Sequence, residues 1–132
     1  MIGTTISHYK ILEKLGEGGM GIVYKAEDNN LKRPVALKFI SPVLTRHKFA
    51  NEQFIFEAQT ASSLDHQNIS TIYEIDESDD GRMFISMAFY NGETLREKIS
   101  RGQIHVKETV NIAVQIAEGL ILHPCPSGLE RQ

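Results

Sequence analysis

Apolar positions recur at every second residue in five stretches of this chain and at helical spacing in three others. Tyr9, Ile11 and Leu15 stand against Lys10 and Lys14, which predicts a strand over about 9–15. Ile22, Tyr24 and Ala26 oppose Lys25 and Glu27 in a second strand, and the glycines between the two make a hairpin. After the polar turn "DNNLKRP", the stretch "PVALKFI" sets Val35, Leu37 and Phe39 on one face and Ala36 and Lys38 on the other. From about Lys48 to Leu64 the period changes, with Phe54, Ala58, Ala61 and Leu64 at helical spacing. "STIYEI" and "MFISMAF" are two further strands, joined by a turn at Asp79, Asp80 and Gly81. The pattern predicts an α+β unit over 1–90, a five-stranded antiparallel sheet with one packed helix.

Two more helices follow, one over 94–100 and a longer one from about Lys107 to Leu122. In the longer helix Val110, Ile112, Val114, Ile116, Leu120 and Ile121 cover nearly the whole circumference. A helix apolar all round belongs inside a larger body. The closing "HPCPSGLERQ" has neither the periodicity nor the bulk to cover it. The expectation is a chain cut short within a larger fold, with 91–123 as an incomplete second body and 124–132 as an irregular tail.

Composition narrows the function classes. With 132 residues the chain holds one domain at most, and 41% hydrophobic and 23% charged residues are the proportions of an ordered globular protein. A net charge of −3 supplies no field to draw nucleic acid or an anionic membrane surface. No stretch approaches the ~20 apolar residues that cross a bilayer, and no signal peptide is visible, so a cytoplasmic location is expected. The single Cys125 cannot form an internal disulfide, and the five histidines lack ligand spacing, so no metal site is assigned.

The candidate chemistry begins at "LGEGGMGIVYKAED", where Gly16, Gly18 and Gly21 fall close together. A dinucleotide fingerprint needs a helix directly after its glycines and an acidic residue about 20 positions on. Here a strand follows, and Lys38 occupies that region. A merely flexible hairpin leaves Lys38 and Glu57 without a role. The third reading is a lid over a triphosphate, whose bare backbone N–H groups approach phosphate oxygens closely. Val23 then lies below the lid against a base, and Ala36 shares a strand face with Lys38, whose ammonium reaches the phosphates. Glu57, beside Ala58 and Ala61 on the inner face of the helix, is placed to fix that ammonium.

These segments resemble a known family. "GEGGMGIV", "VALK" and "FEAQTASSLDHQNI" resemble the Gly-rich loop, third-strand lysine and regulatory helix of protein kinases. "HYKILEKLGEGGMGIVYKAED" is similar to the eukaryotic-like bacterial serine/threonine kinases, and the likeness runs from about Ile6 to His123. It implies the kinase small lobe followed by the hinge and first helices of an incomplete large lobe. Gly16, Gly18 and Gly21 match the lid, with Leu15, Glu17 and Gly19 in the same loop. Val23 and Ala36 match the adenine sandwich, Lys38 the phosphate lysine and Glu57 its partner. Met87 matches the gatekeeper, Ala88 and Tyr90 the hinge, and Thr94 the position near the ribose. Ala61 and Ile72 match the internal apolar stack. Two positions depart from the family's pattern: Ala88 stands for its usual glutamate and Gln67 for its usual proline.

The implied ligand is ATP, with a protein substrate or a partner kinase as partner. Magnesium is expected in the complete family fold, but its ligands are absent here. The family's catalytic base and metal aspartates lie in H-R-D and D-F-G segments, and no aspartate follows Asp80. The expectation is an ATP-binding portion that is not catalytic alone; the alternative is a non-catalytic nucleotide- or partner-binding regulatory module.

Overall fold

Strand alternation places the two faces of β4 (Arg33–Ile40) in two different cores. Val35, Leu37 and Phe39 join Tyr9, Tyr24 and Phe84 in one, and Ile40 joins Phe54, Ala58 and Ile85 in the other. A strand buried on both faces belongs in the middle of its sheet, and β4 lies there. The computed structural model describes residues 1–19, 21–41 and 48–122. Cys125 and the tail 124–132 lie outside them, as do His47 and His123.

The other strands are β1 (Thr5–Ile6), β2 (Tyr9–Gly18), β3 (Gly21–Asp28), β5 (Ile72–Glu77) and β6 (Met83–Ala88). The helices are α1 (Lys48–Ser62), α2 (Leu95–Arg101) and α3 (Val106–Leu122). The sheet is antiparallel, in the order β1-β2-β3-β4-β6-β5. Among the described residues it has six strands rather than the expected five. The addition is β1, whose two residues pair with Tyr9 and Lys10. Two residues are too few to show alternation, so the sequence pattern could not reveal them.

Helix α1 packs on the sheet through Phe54, Ala58 and Ala61, at spacings of four and three that bring one face inward. The two alanines keep the helix close to the strands. Helix α3 touches the rest of the chain differently. Gly119 is its one buried residue, and a Cβ there would stand 3.1 Å from the Asn68 carbonyl oxygen. Beside it Asn68 Nδ2 donates to Glu118 at 3.2 Å. The helix therefore docks by a close backbone approach to the segment after α1.

Candidate functional site

The β2–β3 hairpin runs to its tip, with Gly18 opposite Gly21. Its glycines are bare for different reasons. Gly21 has φ +149°, and a Cβ there would stand 1.8 Å from the Phe39 carbonyl oxygen. No side chain survives that distance, since carbon contacts are optimal near 3.5–4.0 Å. At Gly16, Gly18 and Gly19 an added Cβ meets nothing within 4 Å. Packing within the described residues gives these three no reason to lack side chains. Leu15 sits at a register shift of β2 and is 44% exposed. Glu17 pairs with Lys14, and that hydrogen bond raises the lysine pKa.

Below the hairpin, register brings the expected residues onto one face. Val23 pairs with Lys38, Ala36 with Met87, and Lys38 with Ile85. Side chains at paired positions of neighbouring strands lie on the same side of a sheet. Val23, Ala36, Lys38 and Met87 therefore form one surface, opposite the Val35–Leu37–Phe39 core. Lys38, Glu57, Ala61, Ile72 and Met87 also line a single cavity of about 260 Å³ between α1 and the sheet. The ammonium and carboxylate share that space without closing an ion pair. Among the described residues the lysine and arginine pairs are surface ones such as Lys98–Glu108 and Arg101–Glu93. Glu57 instead accepts a hydrogen bond from Gln53 Nε2, one turn earlier, at 3.3 Å.

The segment after β6 holds the remaining sequence candidates. The Ala88 N–H donates to the Thr71 carbonyl at 2.9 Å, and Tyr90 is 67% exposed. Thr94 caps α2. Its hydroxyl accepts the Glu97 N–H at 3.1 Å, and the Glu97 carboxylate accepts the Thr94 N–H at 2.7 Å, a reciprocal capping box. Those bonds lower the Glu97 pKa, the backbone one most. Thr94→Ala is expected to cost about 1 kcal/mol of helix stability, seen as faster amide exchange across α2. Because the folded Glu97 pKa is depressed, the cap is intact above the ordinary glutamate range. It is lost as pH falls through the folded value, and α2 should fray at acid pH in the parent chain.

A polar cluster at the opposite end of β2 had no counterpart in the sequence reading. The Tyr9 hydroxyl donates to Glu74, 65 residues away in sequence, and His8 Nε2 lies 3.2 Å from Glu74 Oε1. Burial, then the hydrogen bond to Glu74, pushes the Tyr9 pKa up, so its hydroxyl remains a donor. Buried Asp28 accepts the Asn30 and Leu31 N–H groups at 2.9 and 3.2 Å. Nothing in local periodicity links residues so far apart. Polar residues at strand ends were the only signal available.

Known proteins share both this sequence and this fold. The protein kinase domain family profile matches residues 9–124. The serine/threonine-protein kinase PrkC of Bacillus subtilis is 44% identical over 127 residues, which cover 91% of this chain and 19% of that protein. PknJ of Mycobacterium tuberculosis is 31% identical over 118 residues, 89% of this chain and 20% of that one. The chain thus spans about a fifth of the length of these curated relatives. A crystal structure of the M. tuberculosis PknI kinase domain superposes with a TM-score of 0.81 at 25% identity, covering 93% of this chain and 50% of that one. A glycine hairpin, a lysine strand and a packed helix in this sheet order, matched over nearly the whole chain, make it a member of the protein kinase domain family, related to the bacterial serine/threonine kinases.

Proposed function

We propose that this chain is the ATP-binding portion of a serine/threonine protein kinase and does not transfer phosphate by itself. The observation that carries this reading is the open space at Gly16, Gly18 and Gly19 above the face formed by Val23, Ala36 and Lys38. Those three glycines are bare where packing does not ask for it, next to a lysine on a mostly apolar floor. That combination fits a nucleotide triphosphate, since it offers backbone donors, a point charge and apolar cover for a base.

In this arrangement 1–90 forms the small lobe, and 91–123 the hinge with the first helices of the large lobe. Lid N–H groups hold phosphate oxygens, and Leu15 and Glu17 flank them. Lys38 neutralises the α/β-phosphates. Val23 and Ala36 cover the adenine faces beside Met87, and Thr94 lies toward the ribose. Because the Ala88 N–H already serves Thr71, the donor to the adenine edge falls to the Tyr90 N–H, with Ala88 offering its carbonyl. Glu57 takes hold of Lys38 when α1 moves inward and releases Gln53. ATP, when bound, supplies the γ-phosphoryl group, and magnesium serves it in the complete family fold. This sequence contains neither the H-R-D base nor the D-F-G metal ligand.

A protein substrate or a partner kinase completes the picture, in the cytoplasm where ATP is available. No helix among the described residues is long and apolar enough to cross a membrane. Calorimetric titration of ATP tests the reading directly. Lys38→Met should weaken binding by roughly 10-fold or more, the scale of a charge-assisted hydrogen bond. Its melting temperature should barely move, because Lys38 closes no ion pair among the described residues. Labelled phosphate should not pass to a generic protein substrate. Intact binding by Lys38→Met, or transfer abolished by that substitution, would overturn the assignment.

A further inference from the structure

We propose that Glu74 is a positioning residue, a latch that ties strand β5 and the hinge to the lid strand β2 across the curled sheet. The inference rests on the reading above, in which lid and hinge are two walls of one nucleotide site. Strands β2 and β5 are not neighbours, since β3, β4 and β6 lie between them in the sheet. The Tyr9 hydroxyl nevertheless reaches Glu74, and His8 Nε2 approaches the same carboxylate oxygen. These contacts close the sheet's curl over the core that contains Tyr9, Leu37 and Phe84.

A backbone irregularity makes the contact possible. Ile72 pairs with Met87 and Glu74 with Ser86, so Tyr73 is an extra residue in the ladder. In a regular strand Ile72 and Glu74 would share a face. With the bulge, Ile72 stays on the face of Met87, and Glu74 turns to the opposite face, where Tyr9 and Phe84 pack edge to face. Re-aiming a side chain is what a bulge does. The bulge is itself held, because the Arg33 guanidinium lies 3.8 Å from the Tyr73 ring centre.

Each strand so joined carries a part of the proposed site. The segment leading into β5 supplies the Thr71 carbonyl that holds the Ala88 N–H, and Ile72 opposes Met87. Strand β2 continues from Tyr9 to Gly16 and Gly18. Releasing Glu74 frees the β5 edge from β2 while the β2–β3–β4 ladder stays paired. Asp28 stands nearby, with Oδ1 3.9 Å from His8 Nε2 and holding the Asn30 and Leu31 N–H groups, but the Tyr9 hydroxyl donates to Glu74.

Hydrogen exchange on the 132-residue chain without nucleotide tests the latch. Tyr9→Phe removes one oxygen and keeps the packed ring. In that variant and in Glu74→Ala, the Ala88 and β5 amides should exchange about 10-fold faster or more, as a local opening. Leu37 and Tyr24 amides, inside the β3–β4 ladder, should keep their protection. Glu74→Gln, whose amide oxygen still accepts the Tyr9 hydroxyl, should restore most of the Ala88 protection. Unchanged exchange at Ala88 in Tyr9→Phe would overturn the proposal. So would a uniform loss across all strands, which marks a plain stabilising contact. Should Glu74→Ala not fold, Tyr9→Phe decides alone. The readout needs no ligand, so a chain that failed to bind ATP would sink the nucleotide reading without deciding the latch.

Discussion

Gly21→Ala is expected to cost the chain about 4 kcal/mol or more, enough to unfold a domain of ordinary marginal stability. The added Cβ would stand 1.8 Å from the Phe39 carbonyl oxygen and 2.9 Å from its carbon, both backbone atoms of the central strand. A flexible side chain could swing away from such a clash, but a paired strand cannot. Gly21 is opposite both Gly18 and Ile40, so relief would break two ladders at once. The φ of +149° adds strain for any L side chain. Gly18→Ala is the matched control, with open space around the new methyl. Its thermal unfolding should shift by no more than about 0.5 kcal/mol, while ATP affinity falls. A Gly21→Ala chain that melts like the parent would show that the hairpin can lift off Phe39.

The second large effect is association through α3. Val110, Val114 and Ile121 are 55, 48 and 69% exposed, and Val106, Ile116, Leu120 and Leu122 are exposed with them. Leu95 and Ile99 of α2 meet Ile112 and Ile116 at an apolar cleft of about 640 Å³. Each such side chain left in water forgoes roughly 1.5–3 kcal/mol of burial. A continuous surface of this kind marks an interaction or aggregation site. Sedimentation velocity on the 132-residue chain should therefore show self-association. V110D/V114D/I121D should be monomeric with an unchanged melting temperature, because these side chains are exposed. Removing the residues after Gly102 should raise solubility as well. A monodisperse parent with α3 amides protected from exchange would mean that the helix is covered by its own chain.

Much of the architecture was legible because burial imposes a period. Alternation placed β3, β4 and β6 to within a residue or two, since one side of each position meets a core. It also separated Val35, Leu37 and Phe39 from Ala36 and Lys38, the division that puts the lysine on the face of Val23 and Met87. The switch to helical spacing located α1, and Ala58 and Ala61 marked its inner side. The all-round apolar character of α3 was equally plain, and the structure leaves most of its apolar side chains exposed because the helix docks only around Gly119. The short β1 escaped, having too few residues for a period.

The sequence by itself determined the kinase family, the order of the elements and the residues that gather at the glycine hairpin, on the strand of Lys38 and in the segment after β6. Each of those rests on local periodicity or on contiguous motifs, which a linear chain displays. Only the tertiary structure distinguished Gly21, bare because Phe39's backbone leaves no room, from Gly16, Gly18 and Gly19, bare where none of the described residues presses. Only it showed Lys38 and Glu57 sharing a cavity with Gln53 holding the carboxylate, and a bulge at Tyr73 sending Glu74 across to Tyr9. Clearances, bulges and contacts between distant strands depend on how the sheet curls in three dimensions. A period of two residues carries no record of that curvature.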